Sequence, residues 1–257
     1  MKSIKFLIAV MLIGTVLSYN VKMASAASKT ETLYVVADQL NVREKDSTKS
    51  KKVGSLKIGS KVKVYSQAKN GWSEIDFKKK KAYVYSKYIK KAPKNQFSRI
   101  KFFAKQGQLE TTLPLVVGDK AFTAIDYLGK PYFTENNRSL ELHFKNSVNY
   151  SRLVIQDHSF RGMLTYKKMT KNSYVESQEQ MFSKKQKIIY NDVKKVLGNA
   201  DSKERFEGMN DYLISYDLGK YQLVFHTHLL SSDSPAKKVE NTQILGYSVI
   251  ETFIPNN

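Results

Sequence analysis

The chain has 257 residues, with 43 Lys and Arg against 23 Asp and Glu, a net charge of +20 and no cysteine. A hydrophobic share of 41% with 12% aromatics is too high for a disordered tail and allows one large or two modest folded domains. The missing cysteine excludes disulfides, thiolate metal sites, a cysteine nucleophile and a lipid-modified N-terminal cysteine.

At the start, Lys2 and Lys5 precede an apolar run from Phe6 to Leu17, and a polar stretch leads to Ala24-Ser25-Ala26-Ala27. A positive start, a short apolar segment and small residues before the cut form the pattern of a secretory signal peptide, residues 1–27, cleaved after Ala26 or Ala27. The alternative is an uncleaved anchor, but an apolar run of ~18 Å falls short of a ~30 Å hydrocarbon core. No later segment holds the ~20 apolar residues of a membrane helix, and the end, Ile254-Pro255-Asn256-Asn257, carries no sorting motif. The expectation is an exported chain with no membrane span once the signal is removed, attached to the surface without a covalent bond.

Charge is unevenly spread. Residues 28–92 carry 17 Lys and Arg against 6 acids, whereas residues 93–257 carry 23 against 17. The amino-terminal module is therefore the expected contact with a polyanion. Outside a cell that means teichoic acid or anionic lipid. Nucleic acid is not expected, since neither an aromatic RNA-binding strand motif nor a helix-turn-helix pattern is present.

Residues 31–91 read as short β-runs: Leu33–Val36, Leu40–Arg43, Val53–Leu56, Lys61–Tyr65, Trp72–Phe77, Lys81–Tyr85 and Tyr88–Ile89. Val62-Lys63-Val64-Tyr65 and Trp72-Ser73-Glu74-Ile75-Asp76-Phe77 alternate with period two, and Gly54, Gly59 and Asn70-Gly71 supply turns. Many strands without a helix in ~60 residues predict a small all-β barrel. Lys90–Gln96, with Pro93 and no large apolar group, predicts a boundary, with a linker at 92–96.

Specific segments resemble the bacterial SH3 (SH3b, SH3-type 3) family. They are Leu40-Asn41-Val42-Arg43, the hairpin from Val53-Gly54-Ser55-Leu56 to Gly59-Ser60-Lys61-Val62-Lys63-Val64, Asn70-Gly71-Trp72-Ser73-Glu74-Ile75, and Ala82-Tyr83-Val84-Tyr85-Ser86-Lys87-Tyr88-Ile89. The resemblance covers residues 28–91 and implies binding without chemistry, most often to peptidoglycan or its peptide stems. Ala82 stands where the family usually has Gly, which requires an ordinary backbone there. Asn41 and Arg43 either hold the first loop or touch ligand. Trp72, the single Trp, is either a core or rim residue or a stacking platform. Tyr83, Tyr85 and Tyr88 alternate near the closing strand, so at least one faces outward. The run Lys78-Lys79-Lys80-Lys81 is either a solvated hairpin tip or a polyanion contact. These eight residues, Trp72, Tyr83, Tyr85, Tyr88 and Lys78 to Lys81, are the candidate ligand-binding set.

Residues 97–257 predict an α+β domain of two tandem helix-plus-antiparallel-sheet repeats. Leu128-Gly129 recurs 69 positions later as Leu197-Gly198, each reading as a short helix stopped by a left-handed Gly. Alternating strands follow each: Leu140–Phe144 with Leu153–Ile155, then Tyr212–Tyr216 with Tyr221–Phe225, and a last strand at Gly246–Phe253. These units, with Asp217-Leu218-Gly219-Lys220-Tyr221, resemble the YjgB-like family of uncharacterised Gram-positive secreted proteins and, more remotely, the tandem repeats of the β-lactamase-inhibitor-protein-like fold. The second copy has Asn199-Ala200 where the first has Lys130-Pro131. The resemblance brings no catalytic residue; by analogy it implies a concave sheet facing a protein partner.

No nucleophile elbow, phosphate loop, zinc-peptidase motif or calcium loop occurs in the sequence. The wall peptidase most often fused to bacterial SH3 domains needs a cysteine and is excluded. His226-Thr227-His228 on a strand would put two imidazoles on one face, with His143 or Asp157-His158 as a third ligand. Glu204 and Glu207 flank Phe206 as a candidate acid–base pair, though separated surface carboxylates are commoner. The sequence therefore points to a non-enzymatic, cofactor-free wall-binding protein without a committed metal site. A secreted inhibitor or regulator of an extracellular enzyme, or a metal-assisted hydrolase through His226 and His228, are the alternatives.

Overall fold

Period-two alternation in the first third produces strands that bury every second side chain. In the computed structural model, which describes residues 30–136, 139–145, 150–183, 185–205, 212–228 and 236–252, these are β1 (Glu31–Val35), β2 (Gln39–Arg43), β3 (Lys52–Lys57), β4 (Lys61–Gln67), β5 (Trp72–Phe77) and β6 (Lys80–Tyr85). A 3-10 turn at Ser86–Tyr88 leads into the two-residue β7 (Ile89–Lys90). They form one sheet in the order β3-β2-β6-β5-β4-β1-β7. Its core is Leu33, Val35, Leu40, Val42, Val62, Val64, Ile75, Ala82, Val84 and Ile89, all 4% exposed or less. Ala82 lies within β6 opposite Ile75, so strand backbone serves where the family carries glycine. The architecture is the all-β, SH3-like start expected.

Past Pro93, the Asn95 side chain accepts hydrogen bonds from the Phe97 and Ser98 amides at 2.9 and 3.2 Å. That is an N-cap, and it starts α1 (Gln96–Ala104), a helix in a stretch the sequence reading left unassigned. Two further helices follow, α2 (Ala121–Leu128) and α3 (Tyr190–Leu197). Each of the two precedes four strands: β8 (Phe133–Asn136), β9 (Leu140–Lys145), β10 (Tyr150–Gln156) and β11 (Tyr174–Met181), then β12 (Ser202–Arg205), β13 (Tyr212–Asp217), β14 (Tyr221–His228) and β15 (Gln243–Glu251). The eight strands form a single antiparallel sheet, β12-β13-β14-β15-β11-β10-β9-β8. Its halves meet where the last strand of each pairs, from Ser177 opposite Ile250 to Met181 opposite Gly246.

Gly129 and Gly198 close α2 and α3 at φ 81° and 83°. The positive φ agrees with a glycine stop, but ψ of −171° and −166° places both in the extended mirror region, not the left-handed helical one. That region is essentially restricted to glycine.

The helices lie on one face of this sheet. Leu140, Leu142, Leu153 and Ile155 pack with Ala121 and Ala124 of α2. Ile214, Tyr216, Leu223, Phe225 and Val249 pack with Phe97, Ile100 and Ala104 of α1 and Tyr190 and Val193 of α3. At the seam, fully buried Gln178 donates to the carbonyls of Gly107 and Leu115 at 3.1 and 3.2 Å and accepts from Thr112 Oγ1. An amide with both ends satisfied is tolerated at 0% exposure, and here it pins the 107–115 loop to the sheet.

The described residues from Glu31 onward belong to one compact unit. Gln108, fully buried, donates from Nε2 to Ile58 O at 3.1 Å and Pro114 O at 3.2 Å. It occupies the space a Cβ on Gly59 would need, 2.4 Å away. Tyr34 and Phe103 meet edge to face at 5.0 Å. The Lys91 ammonium pairs with Glu31, and Arg99 donates to Lys94 O at 2.8 Å. The segment joining the two sheets is thus tied down on both sides.

Candidate functional site

The Asn70-Gly71 turn organises the rim of the first sheet. Gly71 has φ +84°, and a Cβ there would stand 3.0 Å from the Tyr85 ring, so glycine lets that ring lie against the turn. Asn70 Oδ1 accepts from the Trp72 amide at 3.2 Å, while its Nδ2 donates to Asp46 at 2.7 Å. Arg43 Nη1 donates to Ser50 O at 2.7 Å. Together these fix the 44–51 loop beside Trp72. Ser73 and Ser86 share a 2.7 Å hydrogen bond that holds the 3-10 turn presenting Lys87 and Tyr88.

Between these walls runs an open groove of about 680 Å³, bordered by Asp38, Gln39, Asn41, Arg43 and Thr48 on one side and Trp72, Tyr85, Lys87 and Tyr88 on the other. Trp72 packs edge to face on Tyr85 at 5.6 Å, and Tyr85 lies 6.1 Å from Tyr88. Lys87 Nζ sits over both tyrosines, 5.5 Å from the Tyr85 centroid and 4.7 Å from that of Tyr88. A hydrogen bond with the Tyr88 hydroxyl holds the ammonium above its ordinary pKa, so it stays cationic at any physiological pH. Flat apolar faces beside a fixed cation, with amide groups opposite, suit a ligand that has both a planar or sugar-like face and an anionic group.

Residues 38–90 match the bacterial SH3 domain family. The bacterial SH3 domain thus contains every residue of the groove except Ala37, its first lining residue. Among solved structures, the chain is similar to a DUF4309 family protein, YjgB, from Bacillus subtilis, at 12% identity over 61% of this chain and 95% of that one, TM-score 0.44. It is also similar to a cysteine-rich secretory protein from Staphylococcus aureus, at 12% identity over 52% and 43% of the two chains, TM-score 0.29. The C-terminal domain of TagH aligns at 8% identity over 88% and 98%, TM-score 0.26. A comparison with curated protein sequences returns no match.

Three of the eight candidate binding residues converge on the groove: Trp72, Tyr85 and Tyr88. Trp72 is 7% exposed yet outside the core of the SH3 domain; Tyr85 covers it, which makes it a rim residue. Tyr83 instead donates to Glu74 at 3.5 Å, and Lys81 pairs with the same carboxylate at 2.9 Å. Lys78, Lys79 and Lys80 are exposed on the β5–β6 hairpin, away from the groove lining. Arg43 holds the loop, whereas Asn41 is exposed along the groove. Sequence reasoning passed over Asp38, Gln39, Thr48 and Lys87. Lys87 was findable, because it lies between two candidate tyrosines in a turn.

Among the described side chains the histidines do not converge. His226 Nε2 shares a 2.9 Å hydrogen bond with Ser248 Oγ, and the His228 side chain lies outside the described residues. His158 Nε2 meets Tyr174 Oη at 2.6 Å. His143 has Glu141 and Glu135 within 4.8 Å, but Arg152 donates to Glu141 at 2.9 Å and pairs with Glu179, so a guanidinium already supplies positive charge there. Glu204 is exposed on β12; Phe206 and Glu207 lie outside the described residues. No helix among the described residues is long and apolar enough to cross a membrane.

Proposed function

We propose that this is an exported, non-catalytic binding protein of the cell wall. Its SH3 domain grips peptidoglycan or an anionic wall polymer such as teichoic acid, and the face of the eight-stranded sheet turned away from the helices is presented to a protein partner. The observation that carries the reading is the groove of Trp72, Tyr85, Tyr88 and Lys87 within a bacterial SH3 domain on the more basic part of the chain. The signal-like start supports export.

The test is sedimentation of the full chain with purified wall sacculi. Tyr85 and Tyr88 are each 37% exposed, so Tyr85→Ala with Tyr88→Ala spares the core. Loss of two aromatic anchors is expected to weaken retention by about 10- to 30-fold. Undiminished retention of that folded variant would count against the groove.

A further inference from the structure

A second groove, of about 730 Å³, runs between the SH3 domain and the helix-and-sheet part that follows Pro93. Lys57 and Ile58 line it from one side, and Lys105, Gln106, Lys220 and Tyr221 from the other. Asp38 and Gln39 border this groove and the aromatic groove alike. We infer that the two form one continuous cleft for an extended, phosphate-bearing wall polymer, so that the helix-and-sheet part contributes directly to polymer binding. This rests on the wall-binding reading above and deepens it.

Three observations support the inference. Size comes first. Either groove alone falls within the ~300–1,000 Å³ of a small-ligand pocket, while the two end to end exceed it. A linear polymer uses such length; a monomer does not. Charge comes second. Arg43, Lys87, Lys57, Lys105 and Lys220 border the cleft against two carboxylates, Asp38 and Asp119, and one oxygen of Asp119 already accepts from the Val116 amide at 3.0 Å. Lys57 is exposed, resting over the Tyr127 ring at 5.9 Å, while Lys220 shares its charge with Glu251 at 3.4 Å in an exposed pair that a phosphate would have to displace. Cations spread along a groove fit repeating anions better than one terminal carboxylate. Third, the groove wall is held in place before binding: Gln106 donates from Nε2 to Phe102 O at 2.9 Å. The Gln108 lock on Ile58 fixes the groove before ligand arrives, so little ordering cost falls on binding.

The experiment uses the full chain and two probes, a soluble poly(glycerol phosphate) and phosphate-free glycan–peptide wall fragments. A variant carrying Lys57→Gln, Lys105→Gln and Lys220→Gln is compared with a charge-matched control, Lys130→Gln, Lys171→Gln and Lys195→Gln, all exposed and outside both grooves. The expected result is at least tenfold weaker binding of the phosphate polymer by the groove variant. Its salt slope should be smaller by ~2–3, as for three lost phosphate contacts, and the control should change far less. Equal losses in both variants would overturn the cleft, since net charge alone would explain them. So would preferential binding of the phosphate-free fragments. Full polymer affinity in the groove variant, alongside loss in the Tyr85→Ala, Tyr88→Ala protein, would overturn this inference and leave the SH3 reading standing; insensitivity of both proteins would sink the two together.

Discussion

Lys78 and Lys79 have φ of 54° and 63°, the geometry of a two-residue type I′ hairpin. That turn favours Asn-Gly, because a left-handed residue with a Cβ costs about 1–2 kcal/mol. Two adjacent lysines at such positions also repel each other. Lys79→Gly is therefore expected to raise the unfolding free energy by about 1 kcal/mol, read by denaturant titration. No gain would show the turn to be relaxed. Asp157 presents a different local device. Its buried carboxylate accepts from Ser159 N at 3.0 Å and Oγ at 2.6 Å, Thr170 Oγ1 at 2.6 Å and Ser173 Oγ at 2.9 Å. Those donors, the Ser159 hydroxyl first, lower its pKa from 3.8 to about 2. A depressed folded-state pKa contributes stability that is full above the unfolded value and lost as pH falls toward the folded one. Thermal melts should thus drop between about pH 4 and pH 2, and Asp157→Asn should flatten that part of the profile. An unchanged acid limb in the variant would remove Asp157 from the account.

At the scale of elements, three glycines separate backbone strain from crowding. Around Gly129 and Gly198 nothing lies within 4 Å of an added Cβ, so an alanine there meets only the strain of its positive φ, about 1–3 kcal/mol. Gly246 has no such φ, but a Cβ would approach Gln180 O to 2.5 Å, across the β11–β15 seam. Gly246→Ala should therefore destabilise by forcing the central strands apart. Gly198→Ala should destabilise with the seam intact, a contrast that amide exchange on β11 and β15 would show. Equal protection in both variants would contradict it. These elements were unevenly legible in the sequence. Strands such as Trp72–Phe77 announce themselves by alternation, and α2 and α3 by their glycine stops. β11 was missed because Gln178 and Gln180 face the core as buried polar residues, which hides its period. β8 and β12 are short edge strands with mostly exposed side chains, and carry almost no hydrophobic pattern.

For the whole molecule, the pieces of the site most visible in the sequence are those close together along the chain. Trp72, Tyr85, Lys87 and Tyr88 fall within one hairpin and turn, while the opposite wall, Asp38 to Thr48, comes from a different hairpin and needs the fold to bring it near. The junction was illegible for the same reason: Gly59 reads as an ordinary turn glycine, and nothing local reveals that Gln108 fills the space beside it. The basic SH3 domain and the antiparallel sheet belong to one compact unit. Trp72 is the chain's single tryptophan and lines the groove, so its fluorescence reports that site alone. Titrating the full chain with solubilised wall fragments should give a saturable change in Trp72 emission that weakens between about 50 and 200 mM salt. If the protein bound the fragments while Trp72 emission stayed constant, the groove would not be where the wall is held.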